Sequence, residues 1–185
     1  MSRRGLTLVV VLGVLLLAGG VSGYLLLRGG AGDPGAGAGS AEAPQLGVID
    51  APGSCPVCGM KVRPGNRRAG KAVLRSGKVE VFCAPRCLLV YAIKGLAPGT
   101  PGALADRNEI AELWLADHYD GQPVEARQAF FVHSSDIVGP MGPDIVPVKS
   151  RERAEELVRD HGGQIVTFGQ IDAELIDRVI ASRPR

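Results

Sequence analysis

The segment Leu6–Leu27, "LTLVVVLGVLLLAGGVSGYLLL", carries no charged residue and follows the basic start "MSRRG" at residues 1–5. A helix rises about 1.5 Å per residue, so roughly 20 apolar residues cross a bilayer core, and such a run does not fit inside a small water-soluble fold. Arg3 and Arg4 place the N-terminus inside and the remainder outside. The competing reading is a cleaved export signal with its small-residue site near Val21-Ser22-Gly23. Apolar residues continue past that site to Leu27, which favours an uncleaved, single-pass transmembrane helix. Both readings export the rest of the chain to the periplasmic, or extracytoplasmic, face of the membrane. No cysteine lies near this segment, so a lipid-anchored start is not expected. Residues 28–47, "RGGAGDPGAGAGSAEAPQLG", are rich in Gly, Ala and Pro and lack periodicity, which predicts a flexible linker. Folding is therefore expected to begin near residue 48.

The exported part shows one element order twice. In "GKAVLRSGKVEVF", apolar and polar residues alternate around Ser76-Gly77, which predicts a hairpin. "CAPRCLLVYAIKG" follows as a helix, with Pro85 at its first position and Gly95 as its stop. "ELWLADHY" reads as a third strand. Then "QAFFVHSS" (strand), "GPMGPD" (loop), "IVPVK" (strand), "SRERAEELVRDHGG" (helix capped by Ser150) and "QIVTFGQI" (strand) repeat the order, and "DAELIDRVIASRPR" predicts a terminal helix. The expected fold class is α+β, with two ββαβ units, 48–120 and 121–185, packed together because each is small for a core of its own. A net charge of +2 and 4% aromatic residues give no basis for a nucleic-acid partner. Acidic residues are scattered, and no nucleophile elbow, P-loop or dinucleotide fingerprint occurs, so the chain is not expected to be an enzyme.

All four cysteines, Cys55, Cys58, Cys83 and Cys87, fall in the first unit, as C-x-x-C, 24 residues, then C-x-x-x-C. Three readings stay open on spacing alone: disulfides in an oxidising compartment, a structural four-thiolate zinc site, and a soft-metal site. A thioredoxin-like dithiol is disfavoured, because Pro56, Gly59 and Pro64 prevent a helix after Cys58. The two methionines after the initiator favour copper. Met60 follows Gly59, and Met141 lies in "VGPMGPD"; neither belongs to an apolar periodic run, where core methionines sit. A thioether suits Cu(I) and does little for zinc. Three histidines are weaker candidates: His118 as a surface or capping residue or an auxiliary ligand, His133 as an outward strand residue, and His161 at a helix C-terminus.

"CPVCGM", a hairpin and helix, then "AFFVHSS", "VGPMG", "VPV" and "HGGQIVTF" in that order resemble the NosL family, accessory proteins of nitrous oxide reductase, over roughly residues 50–170. The resemblance implies two ββαβ units and a Cu(I)-binding metallochaperone that supports assembly of the reductase's copper centre in denitrification. Its implied partners are that reductase and an upstream copper donor. Cys58 and Met141 match the family's ligand pair, and Met60 matches a motif methionine. Members of the family are commonly lipoproteins, whereas this sequence offers a membrane span. "FCAPRC" also resembles the small Cys-rich TRASH type of metal-trafficking module, so Cys83 and Cys87, with Cys55, join the candidate metal ligands, and zinc is a second candidate at the cysteine cluster.

Overall fold

The structure, a computed structural model, describes residues 52–182. The expected membrane segment and linker lie outside the described residues. Among the described residues no helix is long and apolar enough to cross a membrane.

The fold is mixed α/β and mostly strand. A short ladder pairs β1 (Gly53–Ser54) with β2 (Lys61–Val62). A four-stranded antiparallel sheet follows in the order β4-β3-β5-β6, from β3 (Gly70–Leu74), β4 (Val79–Phe82), β5 (Ile110–Ala116) and β6 (Pro123–Glu125). A three-stranded sheet has the order β8-β7-β9, from β7 (Phe130–Gly139), β8 (Gly142–Val148) and β9 (Gln164–Thr167). In each larger sheet the first strand of the strand–strand–helix–strand order is flanked by the two strands that follow it. The β3–β4 turn closes where Gly77, at φ 83°, donates to the Leu74 carbonyl.

Helix α1 (Pro85–Leu89) starts at Pro85 after the extended Ala84, continues as a wider π-type turn through Val90–Lys94, and stops at Gly95. All five α1 residues are buried, because the helix touches β3 and β4 on one side and β8 on the other. Gly70 allows the close approach: a Cβ there would lie 2.8 Å from Leu88 and 2.9 Å from Leu115. Helix α2 (Arg151–His161) is capped by Ser150, whose hydroxyl accepts the Arg153 N–H, and it ends at Gly162. Helix α3 (Ala173–Ala181) starts at Asp172, whose carboxylate accepts the Leu175 N–H.

One core joins both halves. Phe82, Leu88, Leu89, Tyr91, Leu113 and Leu115 pack in the same cluster as Phe131, Ile145, Ile171, Leu175 and Ile176. A smaller cluster, with Val132, Val146 and Val148 against Ala154 and Leu157, lies under α2 on the other face of the three-stranded sheet.

Several elements differ from the sequence reading. The third strand is Ile110–Ala116, so Asp117–Tyr119 form the turn after it; β6 lies beyond residue 120 yet completes the first sheet. The "GPMGPD" loop is mostly strand: β7 runs to Gly139 and β8 starts at Gly142, leaving a tight tip at Pro140-Met141. His133 is buried, not outward. It shares strand parity with core-facing Phe131, and the register shift that starts at His133, where Ser134 takes φ 58°, comes too late to turn it out.

Candidate metal centre

Cys55 and Cys58 sit in one tight loop. The Cys55 carbonyl accepts the Gly59 N–H at 2.8 Å, and the Cys55 N–H donates to the Met60 carbonyl at 2.9 Å. Gly59 makes the turn with φ 73°, a left-handed conformation that costs other residues energy. Cys83 follows β4 directly, and Cys87 lies one helical turn further on, in α1. The β3–β4 hairpin and the β1–β2 ladder bring these two pairs together.

The four ligand atoms all lie within 4.8 Å of one another. Cys58 Sγ is 3.4 Å from Cys83 Sγ and 4.0 Å from Cys87 Sγ, and Cys83 and Cys87 are 3.7 Å apart. All four are free thiols. Cys55, Cys83 and Cys87 are each no more than 3% exposed, whereas Cys58 is half-buried. An open cleft of about 400 Å³, lined by Cys55, Gly59, Lys78 and Glu80 among others, runs up to the loop.

The thiols are electrostatically unequal. The Cys55 thiol is held down to about 5, chiefly because Cys87 donates to its sulfur, with the Cys83, Cys58 and Val57 N–H groups adding to this against the opposing effect of burial. Cys83 is pushed up to about 12, first by burial and then by its contact with Cys58. Cys87 is raised further, because deprotonation would remove its hydrogen bond to Cys55, and burial adds to that. A preformed Cys55 thiolate beside the neutral Cys83 and Cys87 thiols suits a site that captures a soft cation and then loses further protons to it.

The two methionines differ in their surroundings. Met60 is half-buried and packs against the core beside Cys58, so it is less open than its glycine neighbour suggested. Met141 sits at the β7–β8 tip with its side chain 44% exposed. Its loop is tied to the cysteine helix by Arg86, which lies between Cys83 and Cys87 and is only 7% exposed. The Arg86 guanidinium donates to the carbonyls of Met141 and, at 2.7 Å, Pro143. Its backbone N–H donates to Asp144 Oδ1 at 3.0 Å.

His118 lies apart from the thiols. It lines a cavity of about 230 Å³ with Arg67, Arg68 and Asp144, and no cysteine lines that cavity. Burial, then Arg68, lowers its pKa and favours the neutral ring. His133 Nδ1 lies 3.0 Å from Ser134 Oγ, and His161 Nδ1 lies 2.8 Å from an Asp136 oxygen. Among the described residues the four cysteines form the only group of three or more His, Cys, Asp or Glu residues clustered closely enough for a metal.

A family model described as NosL matches residues 48–176, well over half of the chain. The chain belongs to the NosL family. A NosL relative described as "Copper-binding lipoprotein NosL", from Stutzerimonas stutzeri, is 26% identical over 122 residues. That match covers 66% of this chain and 63% of the relative, so the chain spans less than two thirds of that protein's length. The crystal structure of "the copper chaperone NosL" from Shewanella denitrificans shares the fold with a TM-score of 0.53 at 23% identity, over 66% of this chain and 91% of that one. The solution NMR structure of apo-NosL from Achromobacter cycloclastes aligns with a TM-score of 0.43 at 26% identity, over 58% of this chain and 87% of that one.

All six candidate ligands lie inside the NosL-matched span. The sequence reading put Cys58 and Met141 first and added Cys55 as a further candidate; the structure places Cys55 inside the thiol cluster. It missed Arg86 and Asp144 altogether. The available signal was an arginine between two cysteines in a helix too apolar to leave it solvated.

Proposed function

We propose that the chain is an exported, membrane-tethered Cu(I) metallochaperone that supports copper-site assembly in nitrous oxide reductase by ligand exchange. It binds and delivers; it is not an enzyme. The observation that carries this reading, given NosL membership, is the sulfur set: a half-open Cys58 at the edge of a thiol cluster, Met60 beside it, and an exposed Met141 on a tip fastened to the cysteine helix. Soft thiolate and thioether donors select Cu(I). Cys58 supplies charge and affinity. The neutral thioethers of Met141 and Met60 complete a low coordination number and release the metal readily. An incoming donor sulfur then attacks the ion before the old ligand leaves.

The Leu6–Leu27 segment holds the chaperone at the extracytoplasmic face. An upstream donor supplies Cu(I), and the reductase receives it.

The test is an anaerobic Cu(I) titration of the full chain against a competing chelator. Cys58→Ser and Met141→Ala should each weaken binding. Unchanged Cu(I) affinity in Met141→Ala would remove the basis for the mechanism. For the client, loss of the chain should leave the reductase copper-poor in cells; a fully loaded reductase without it would exclude that role. Resistance to alkaline extraction from membranes tests the tether, and a freely released chain would contradict it.

A further inference from the structure

The four thiols have a geometry that a two- or three-coordinate Cu(I) ion does not need. The 55–60 loop is closed by two backbone hydrogen bonds and a left-handed Gly59, which fixes Cys55 and Cys58 relative to one another. Cys83 is fixed just past the end of β4 and Cys87 in the fully buried helix that follows. With zinc–sulfur bonds of about 2.3 Å, a regular tetrahedron has sulfur–sulfur edges of about 3.8 Å. The separations among Cys58, Cys83 and Cys87, 3.4, 3.7 and 4.0 Å, bracket that value, and the Cys55 sulfur lies within 4.8 Å of all three. They are far longer than a disulfide bond, about 2.05 Å. Three of the four sulfurs are sealed from solvent, as in a closed structural site rather than an exchange site.

We propose that Cys55, Cys58, Cys83 and Cys87 form a four-thiolate Zn(II) site that cross-links the 55–60 loop to helix α1. Binding replaces the remaining thiol protons with one divalent ion, so protons are released as zinc enters. The proposal rests on the copper reading in one respect only: Cys58 belongs to both ligand sets. Zinc and Cu(I) therefore compete for one sulfur, and by linkage each weakens the other's binding equally. Cys83 and Cys87 serve zinc alone, and Met141 serves copper alone.

The test uses the reduced, metal-stripped full chain, titrated first with Co(II) as a coloured stand-in and then with Zn(II) against a chromophoric chelator. The expected result is one Co(II) per chain with the intense visible bands of a tetrahedral thiolate complex, displaced by one Zn(II). Cys83→Ser and Cys87→Ser should each weaken zinc at least about a hundredfold, while Met141→Ala leaves zinc unchanged and weakens only Cu(I). If the buried variants fail to fold, Cys58→Ser, at the half-open position, carries the same zinc expectation. A pale, six-coordinate Co(II) spectrum, or wild-type zinc affinity in the folded cysteine variants, would overturn the proposal. Cu(I) affinity insensitive to Met141→Ala with zinc binding intact would instead overturn the copper reading alone.

Discussion

Replacing Arg86 by Ala should loosen the Met141 tip without touching a metal ligand. The buried guanidinium donates to two carbonyls, those of Met141 and Pro143. A hydrogen bond from a charged donor contributes about 1.5–3 kcal/mol net. The Met141 carbonyl belongs to an exposed tip and regains water when the donor is lost, so the low end applies to it. Asp144 also loses its cationic neighbour; burial already pushes that carboxyl up, and removing Arg86 pushes it further. The sum of the two hydrogen bonds is about 3–4.5 kcal/mol of lost stability. For a domain of this size that is a fall in Tm of roughly 10 °C. The assay is thermal unfolding of the reduced, metal-free chain followed by circular dichroism, with Cu(I) affinity measured in parallel. Cu(I) affinity should fall as well, because the tip no longer holds its thioether near the helix. Arg86→Lys keeps the charge but not the two-pronged donor, and should recover less than half of the loss. A Tm within about 2 °C of wild type for Arg86→Ala would refute the idea that this side chain fastens the tip.

Two further outcomes follow from the packing and the titration of the thiols. Gly70→Ala places a methyl group against Leu88, Leu115 and the Trp114 carbonyl, and should destabilise the chain by about 1–3 kcal/mol in denaturant unfolding followed by its single tryptophan; no change would mean α1 does not press on β3. Cys55, lowered from 9.0 to about 5, contributes stability that is full above the unfolded value and is lost as pH falls toward 5. Cys83, near 12, and Cys87, higher still, stay protonated at neutral pH. Thiolate absorbance of the reduced, metal-free chain should therefore show one early step near pH 5 that Cys55→Ser abolishes; a first step only near the ordinary thiol range would contradict the hydrogen-bond pattern at Cys55.

Local signals made much of the fold legible. Alternation around Ser76-Gly77, Pro85 and Gly95 bounding a helix, and Ser150 and Gly162 bounding another each act within a few residues, and each held in the structure. What depended on distant partners was not legible. Nothing near Pro123 announces that β6 pairs with β5, or near His133 that the strand is covered on both faces. The candidate metal centre divides the same way. The cysteine spacing showed two pairs, but only the folded β1–β2 ladder and β3–β4 hairpin bring Cys55 and Cys58 to Cys83 and Cys87. The partners of Arg86 were not legible because they lie 55 and 57 residues away. Met141 was legible through its glycine and proline neighbours, which form the hairpin tip and leave the side chain exposed.

The most direct measurement of the copper reading is the Cu(I) dissociation constant of the full chain, wild type against Met141→Ala, under anaerobic competition with zinc present. The expected result is tight Cu(I) binding in the wild type and at least a tenfold loss in the variant, about 1.4 kcal/mol or more. Equal constants for the two proteins would contradict it, and would leave the four thiols as the chain's whole metal chemistry.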